Sequence, residues 1–409
     1  MTASAPTTDV ADRSIWTRGF VYVFAINLVI NLAQFMMNTL VPKLAVELGA
    51  SAVVVGVVAG MFAVTALSVR PVVGPATVRL RRNHLLAGTS AVIMLAFVVY
   101  SVADSVPVMM AGRLLHGAGM GFLAPVMLAL ASDNLPERRM ASGIGIFSLG
   151  QAVATAIGPS VGLALQPLVG YRWTFLAGAV VLALASLLAL RVPSDPPAPP
   201  TGRLFSWRAF VASEAAVPAV VLFFLAGAYA GVTSFVVLYG EALGVRDIGL
   251  FFTAYALCVL VSRPVAGRIA DRFGLTTVIL PGMAVFAASF VLLAHARTLG
   301  AFLVAGAVSA FGYGVCQPAI QTMSLMSVDK ARRGVAGNTS YIGVDLGYLV
   351  MPVVAGAVVS AAGRHGADVA QSYSTMFLTL VVPVVLGMVV FLVRGRRRAT
   401  RVHEVSTDA

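Results

Sequence analysis

Charge is what this sequence has least of. Only 11% of its 409 residues are Asp, Glu, Lys or Arg, against about 25% in soluble globular domains. With 59% apolar residues, the chain is composed for lipid rather than water. Cysteine is nearly absent. Cys258 and Cys316 are the only two; both fall in long apolar runs and read as small apolar residues rather than a disulfide. There is no phosphate-binding loop, no metal-ligand cluster and no nucleophile–base pair, so hydrolytic and redox enzymology are excluded and neither cofactor nor metal is expected. A secretory signal is not expected either, because the first apolar run is a full-length span without a small-residue cleavage site.

What is present is long hydrophobic runs. About twelve can be counted, each near the roughly 20 residues needed to cross a ~30 Å hydrocarbon core at about 1.5 Å per residue. The net charge of +12 would suggest nucleic acid in a soluble protein, but its placement excludes that partner. With both termini cytoplasmic, twenty of the 28 Lys and Arg lie in inside loops and tails and five outside. Arg70, Arg113 and Arg263 lie within spans or at their ends. Such asymmetry predicts a multi-pass protein of the cell's inner membrane with its termini inside. The expected division is a cytoplasmic tail over 1–17, a six-helix bundle over 18–191, a linker over 192–213, a second six-helix bundle over 214–393 and a basic tail over 394–409. The linker is marked by Pro193–Pro200, a proline-rich polar stretch followed by Arg203 and Arg208.

The two blocks are copies of one plan. Ser262–Gly274 reads as a tight, charged turn between two spans, and it recurs in altered form earlier in the chain. Setting Arg70-Pro71 against Arg263-Pro264 gives an offset of 193 residues, which also pairs Gly74 with Gly267, Arg79 with Arg272, Gly121 with Gly314 and Pro159 with Pro352. At the places of Asp271 and Gly274 stand Val78 and Arg81. Parallel halves of this kind recur among secondary transporters, whose substrate site lies near the bilayer midplane between them.

Polar residues inside spans mark candidate sites, because lipid penalises them. Asn27, Asn31, Gln34 and Asn38, spaced four, three and four, form one stripe on the first span. They either hydrogen-bond between helices or contact substrate. Arg113, His116 and Met120 share a face of the fourth span. Arg113 could snorkel outward, or sit paired or hydrated, and His116 could titrate or simply be a fixed hydrogen-bond partner. Gly158-Pro159 in the fifth span favours a bend. Tyr229 and Thr233 share a face of span seven, and Tyr313, Gln317, Gln321 and Ser324 a face of span ten.

Of sixteen acidic residues, Asp345 alone falls well inside a span, on a face with Asn338, Tyr341, Tyr348 and Pro352. An ionised Asp there costs about 2.5–3.5 kcal/mol on insertion scales, so it must be protonated, paired or hydrated. Apolar surroundings favour the neutral carboxyl and a guanidinium the ionised one, so a site alternating between them can carry a proton. A static Asp–Arg staple is the other reading. Counting rises from each surface, Arg113 and Asp345 differ in depth by about 9 Å, which leaves a direct pair open, and His116 is closer in depth to Asp345.

These residues resemble the major facilitator superfamily, and within it the twelve-span drug:proton antiporters, over nearly the whole chain. Gly267–Gly274 is similar to the signature stretch between the second and third spans, here best kept between spans eight and nine. Arg113–Gly119 resembles the fourth-span motif whose arginine is implicated in proton coupling, with His116 in place of glutamine. Gly145, Ala154, Gly158, Pro159 and Gly162 resemble the fifth-span antiporter motif, with Ala154 and Leu163 where that pattern has glycines. The resemblance implies an all-α membrane protein of twelve transmembrane helices in two pseudo-symmetric six-helix bundles, exporting its substrate. The chain departs from it in carrying no acid in the first span and Val78 in the first signature stretch.

The expectation is therefore alternating-access, proton-coupled efflux of a small amphipathic compound by a monomer whose partners are that compound, protons and the lipid bilayer. Asp345, Arg113 and His116 are the candidates for proton coupling. Asn27, Asn31, Gln34, Asn38, Tyr229, Gln317, Gln321 and Tyr341 are the candidates for the substrate cavity, and Gly267, Asp271, Arg272, Gly274, Gly158 and Pro159 for conformational gating. With a single buried acid, a neutral or weakly cationic cargo is expected. Uptake of a metabolite by the same fold is one alternative, and a membrane sensor or scaffold that does not transport is another.

Overall fold

A computed structural model describes residues 15–136, 140–194, 211–329 and 332–395. Most of the expected tails and linker, with Arg138, Arg139, Arg203, Arg208 and Lys330, lie outside the described residues, as do the surroundings of Gly74, Val78 and Gly145. Regular structure among the described residues is helical throughout, the solution lipid demands, because a helix satisfies its own backbone polar groups. The first half comprises α1 (Arg18–Glu47), α2 (Ala52–Gly60), α3 (Phe62–Arg79), α4 (Arg82–Ser101), α5 (Val106–Asp133) and α6 (Met140–Ala189). After a short 3-10 turn at Ser213–Ala215 come α7 (Ala216–Ala242), α8 (Leu250–Phe273), α9 (Thr276–His295), α10 (Leu299–Met326), α11 (Arg333–Arg364), α12 (Val369–Thr379) and α13 (Val381–Val390).

Among the described residues, eleven stretches are long and apolar enough to cross a membrane. One of them, Ile146–Ala189, has 44 residues, about 66 Å of helix and so two crossings of a ~30 Å core. It reverses at Gly170, where φ is 78° and ψ 168°, a conformation that favours glycine. Twelve crossings result, with the start of α1 and the end of α13 at one end of the bundle, here the terminal end. Side-chain caps start several helices: Thr17 accepts from Phe20 N at 3.1 Å, and Asp368 forms a capping box with Gln371.

One local expectation is corrected. Gly267–Phe273 is not a loop but the last turns of α8, and the turn itself is Gly274, at φ 86°. The charged residues are still good helix formers, so only glycine ends the helix. Its counterpart α3 ends instead through extended Leu80, at φ −111°. Pro159 lies within α6, whose non-helical dihedrals are at Gly170.

The halves approach most closely at the far end. A β-carbon on Gly56 would stand 2.1 Å from the Pro352 carbonyl oxygen, and one on Gly356 2.0 Å from that of Ala52, so α2 and α11 touch backbone to backbone. Beside them, Thr253 Oγ1 donates to the Ala156 carbonyl at 2.7 Å, and Lys43 meets Glu241 at 2.8 Å.

Candidate substrate chamber

Between the halves lies a chamber of about 560 Å³, within the range of small-molecule sites. Its walls reach from mid-bundle toward the terminal end, where Leu128, Ile144, Phe147 and Ser148 contribute. Asn27, Asn31, Gln34, Asn38, Tyr229, Gln317, Gln321 and Tyr341 all line it. The four amides of α1 are partly committed to one another. Asn27 Nδ2 donates to the Phe147 carbonyl at 2.8 Å, and Asn31 Nδ2 donates to Asn27 Oδ1 at 2.8 Å. Gln34 Nε2 reaches Asn38 Oδ1 at 3.5 Å.

His116 stands behind this stripe rather than in the wall. It is fully buried, with Nε2 at 2.6 Å from Gln34 Oε1. A carbonyl oxygen only accepts, so Nε2 carries the proton, and Nδ1 is left buried without a partner among the described residues. The histidine thereby fixes which way the Gln34 amide faces the chamber.

Arg113 neither snorkels nor pairs with Asp345. Its Nε donates to the Val58 carbonyl at 2.9 Å, a terminal nitrogen donates to the Ala59 carbonyl, and the guanidinium lies 4.7 Å over the Phe62 ring. The second span is interrupted at Met61, between α2 and α3, and a helix end leaves carbonyls without intrahelical donors. Arg113 supplies those donors. It is therefore a cap on a broken helix, packed where Gly117 lets α5 approach Phe62 closely.

The partner of Asp345 is Arg70. Arg70 Nε lies 2.6 Å from Asp345 Oδ2, with the side chains 7% and 10% exposed, and the guanidinium sits 5.0 Å over the Tyr341 ring. Both residues line the chamber, and the pair joins α3 of one half to α11 of the other. Arg70 was legible by the same depth counting: it is nine residues from the terminal end of α3 and Asp345 twelve from that of α11, about 14 and 18 Å.

The second half contributes tyrosines. Tyr229 stacks on Tyr313 at 4.4 Å and lies 5.3 Å from Tyr255, with Tyr341 and Tyr348 on the same chamber. Tyr255, on α8, had no sequence signal beyond its place in an apolar run.

The Major Facilitator Superfamily pattern matches residues 23–247 and 242–408. The chain belongs to this superfamily. It is a multi-pass membrane transporter and not an enzyme. It is 22% identical over 254 residues to the staphylopine export protein of Staphylococcus aureus, covering 60% of this chain and 64% of that one. It is 31% identical over 181 residues to a probable multidrug-efflux transporter of Mycobacterium tuberculosis, covering 44% and 36%. The chain thus spans less than two thirds of either relative. Multidrug resistance protein 1 of Bacillus subtilis is matched at 22% over 387 residues, 91% of this chain and 94% of that one. Among solved structures, a bacterial homolog of the human lysosomal transporter Spinster superposes with a TM-score of 0.78 at 14% identity, covering 95% and 98%.

In this transporter the expected gating residues lie apart from the chamber. Gly158 is pressed on α1, where a β-carbon would stand 2.9 Å from Phe35 Cβ, and Pro159 follows it in the same helix. Gly267, Asp271 and Arg272 lie exposed at the terminal end. The Arg272 guanidinium is 5.2 Å from the Phe273 ring, and Asp271 has no hydrogen-bond partner among the described residues.

Proposed function

We propose that this transporter exports a small amphipathic compound by alternating access, driven by protons moving inward. The observation that carries this reading is the Arg70–Asp345 pair: a buried ion pair that bridges the two halves inside the chamber. The terminal end is taken as cytoplasmic, on the charge asymmetry of the loops, and the protein as a monomer of the inner membrane with its six-helix bundles joined across 192–213. The arrangement is then inward-open, with the chamber reached from the cytoplasm and the far end shut at the Gly56–Pro352 and Gly356–Ala52 contacts.

Rocking the halves the other way parts α2 from α11 and rearranges the separate α3–α11 contact that carries Arg70 and Asp345. A carboxylate drawn away from its guanidinium inside the membrane is neutralised by a proton, and re-forming the pair expels that proton. Arg113 holds the interrupted second span in shape during the motion, and His116 holds Gln34. Asp271 serves the opposite state, in which the terminal ends close and a carboxylate can accept hydrogen bonds from a neighbouring helix N-terminus.

The efflux names of the relatives support export. The test is a compound screen in everted vesicles with an imposed pH gradient. Antiport predicts movement of compound opposite to protons, whereas movement along with them is the outcome for an uptake permease.

A further inference from the structure

The chamber holds more positive than negative charge. Three guanidiniums, of Arg70, Arg113 and Arg263, face a single carboxylate, that of Asp345. Arg70 is matched by Asp345 at 2.6 Å. Arg113 has two backbone carbonyls as acceptors. Arg263 has one: its Nε donates to the Gly314 carbonyl at 3.0 Å, and among the described residues its two terminal nitrogens have no partner and no carboxylate lies within ion-pair distance.

The internal repeat says what is missing. Arg263 is the copy of Arg70 at the offset of 193 residues, and the copy of Asp345 at that offset is position 152, which is Ala152. Arg70 of the first half pairs with Asp345 of the second; under the same pseudo-twofold relation the equivalent place for a carboxylate serving Arg263 of the second half is position 152 of the first. Arg263 and Ala152 both line the chamber. Of the two symmetric places for an arginine–carboxylate pair, one therefore has the base without the acid. A guanidinium half-buried in a membrane protein calls for an anion, and its fork suits a carboxylate, sulfonate or phosphate oxygen pair.

We propose that the cargo supplies the missing acid: an amphipathic anion whose acidic group binds Arg263 and whose apolar or aromatic body lies on the tyrosines around Tyr313. The inference rests on the chamber being the substrate site of the transport reading above, whichever its direction, and replaces the neutral or weakly cationic cargo expected from counting the lone acid, because that count set no arginine against it.

The test is binding to purified full-length protein in phosphatidylcholine nanodiscs, by equilibrium dialysis, with three matched probes: 2-naphthoate, 2-naphthamide and 2-naphthylmethylammonium. Naphthoate is expected to bind at least about tenfold more tightly than the ammonium, the scale of a charge-assisted hydrogen bond. Arg263→Gln should weaken naphthoate by a similar factor and leave naphthamide within twofold. Ala152→Asp, which restores the internal acid, should do the same without removing any side chain the fold uses. Arg364→Gln, exposed at the far end, should change neither. Preference for the ammonium, no naphthoate binding, or equal loss of naphthoate and naphthamide in both chamber variants would overturn the proposal. The assay uses no gradient, so its failure leaves proton-driven export standing, and a reversed flux in vesicles would remove the export reading without touching it.

Discussion

Arg70 and Asp345, 275 residues apart in sequence, meet at 2.6 Å across the two halves of the transporter. The pair is buried yet lines the chamber, so it is both a structural contact and a candidate working part.

As a structural contact, each member protects the other from being an isolated charge. Arg70→Gln or Asp345→Asn alone should destabilise the protein, because removing one partner of a buried pair costs about 3–5 kcal/mol. The Arg70→Gln/Asp345→Asn double variant should be destabilised by much less than the sum. Thermal unfolding in detergent of the four proteins checks this, and additive losses would show that the two side chains do not interact.

Arg113 acts on the backbone of the second span rather than on a charge. Arg113→Gln should leave the Val58 and Ala59 carbonyls short of donors, at about 1–3 kcal/mol for each group left unsatisfied. Arg113→Lys should not rescue it, because a single ammonium cannot serve two adjacent carbonyls as a planar fork does. Hydrogen exchange should rise over residues 58–65 in both variants, and unchanged protection there would remove the cap assignment.

The far-end closure depends on glycine. Gly56→Val puts a β-carbon about where the Pro352 carbonyl now stands, so the variant should favour the state open at that end. In a Lys43→Cys/Glu241→Cys background, whose parent side chains meet at 2.8 Å, cross-linking should fall severalfold on adding Gly56→Val. Equal cross-linking would mean that the seam is not the closing contact.

Asp271 is exposed here and should matter in the other state. Asp271→Asn should shift the balance between the two open states toward the one closed at the far end, read by the same cysteine pair as increased cross-linking. Identical cross-linking in parent and variant would count against a latch.

The architecture was legible because lipid leaves few choices: span lengths, the amide period of Asn27, Asn31, Gln34 and Asn38, and the 193-residue repeat all follow from burying polar groups in a helical bundle. Helix ends were less legible. Gly267–Phe273 reads as a loop by its charge, yet nothing before Gly274 forces the helix to stop, and the break at Met61 has no proline or glycine at that residue to announce it. Pairings between halves were the hardest to see, because sequence gives depth but not which spans touch. Arg70 matched Asp345 in depth all along, and only the contact between α3 and α11 singles it out from the other arginines.

The central claim is that Asp345 carries the coupling proton by trading Arg70 for solvent. The most direct measurement is cargo-induced proton movement in proteoliposomes loaded with a pH-sensitive dye, comparing the parent protein with Asp345→Asn at matched cargo binding. The claim predicts that cargo binding persists while the pH-gradient dependence of flux disappears. A variant whose flux keeps the parent's pH dependence would contradict it.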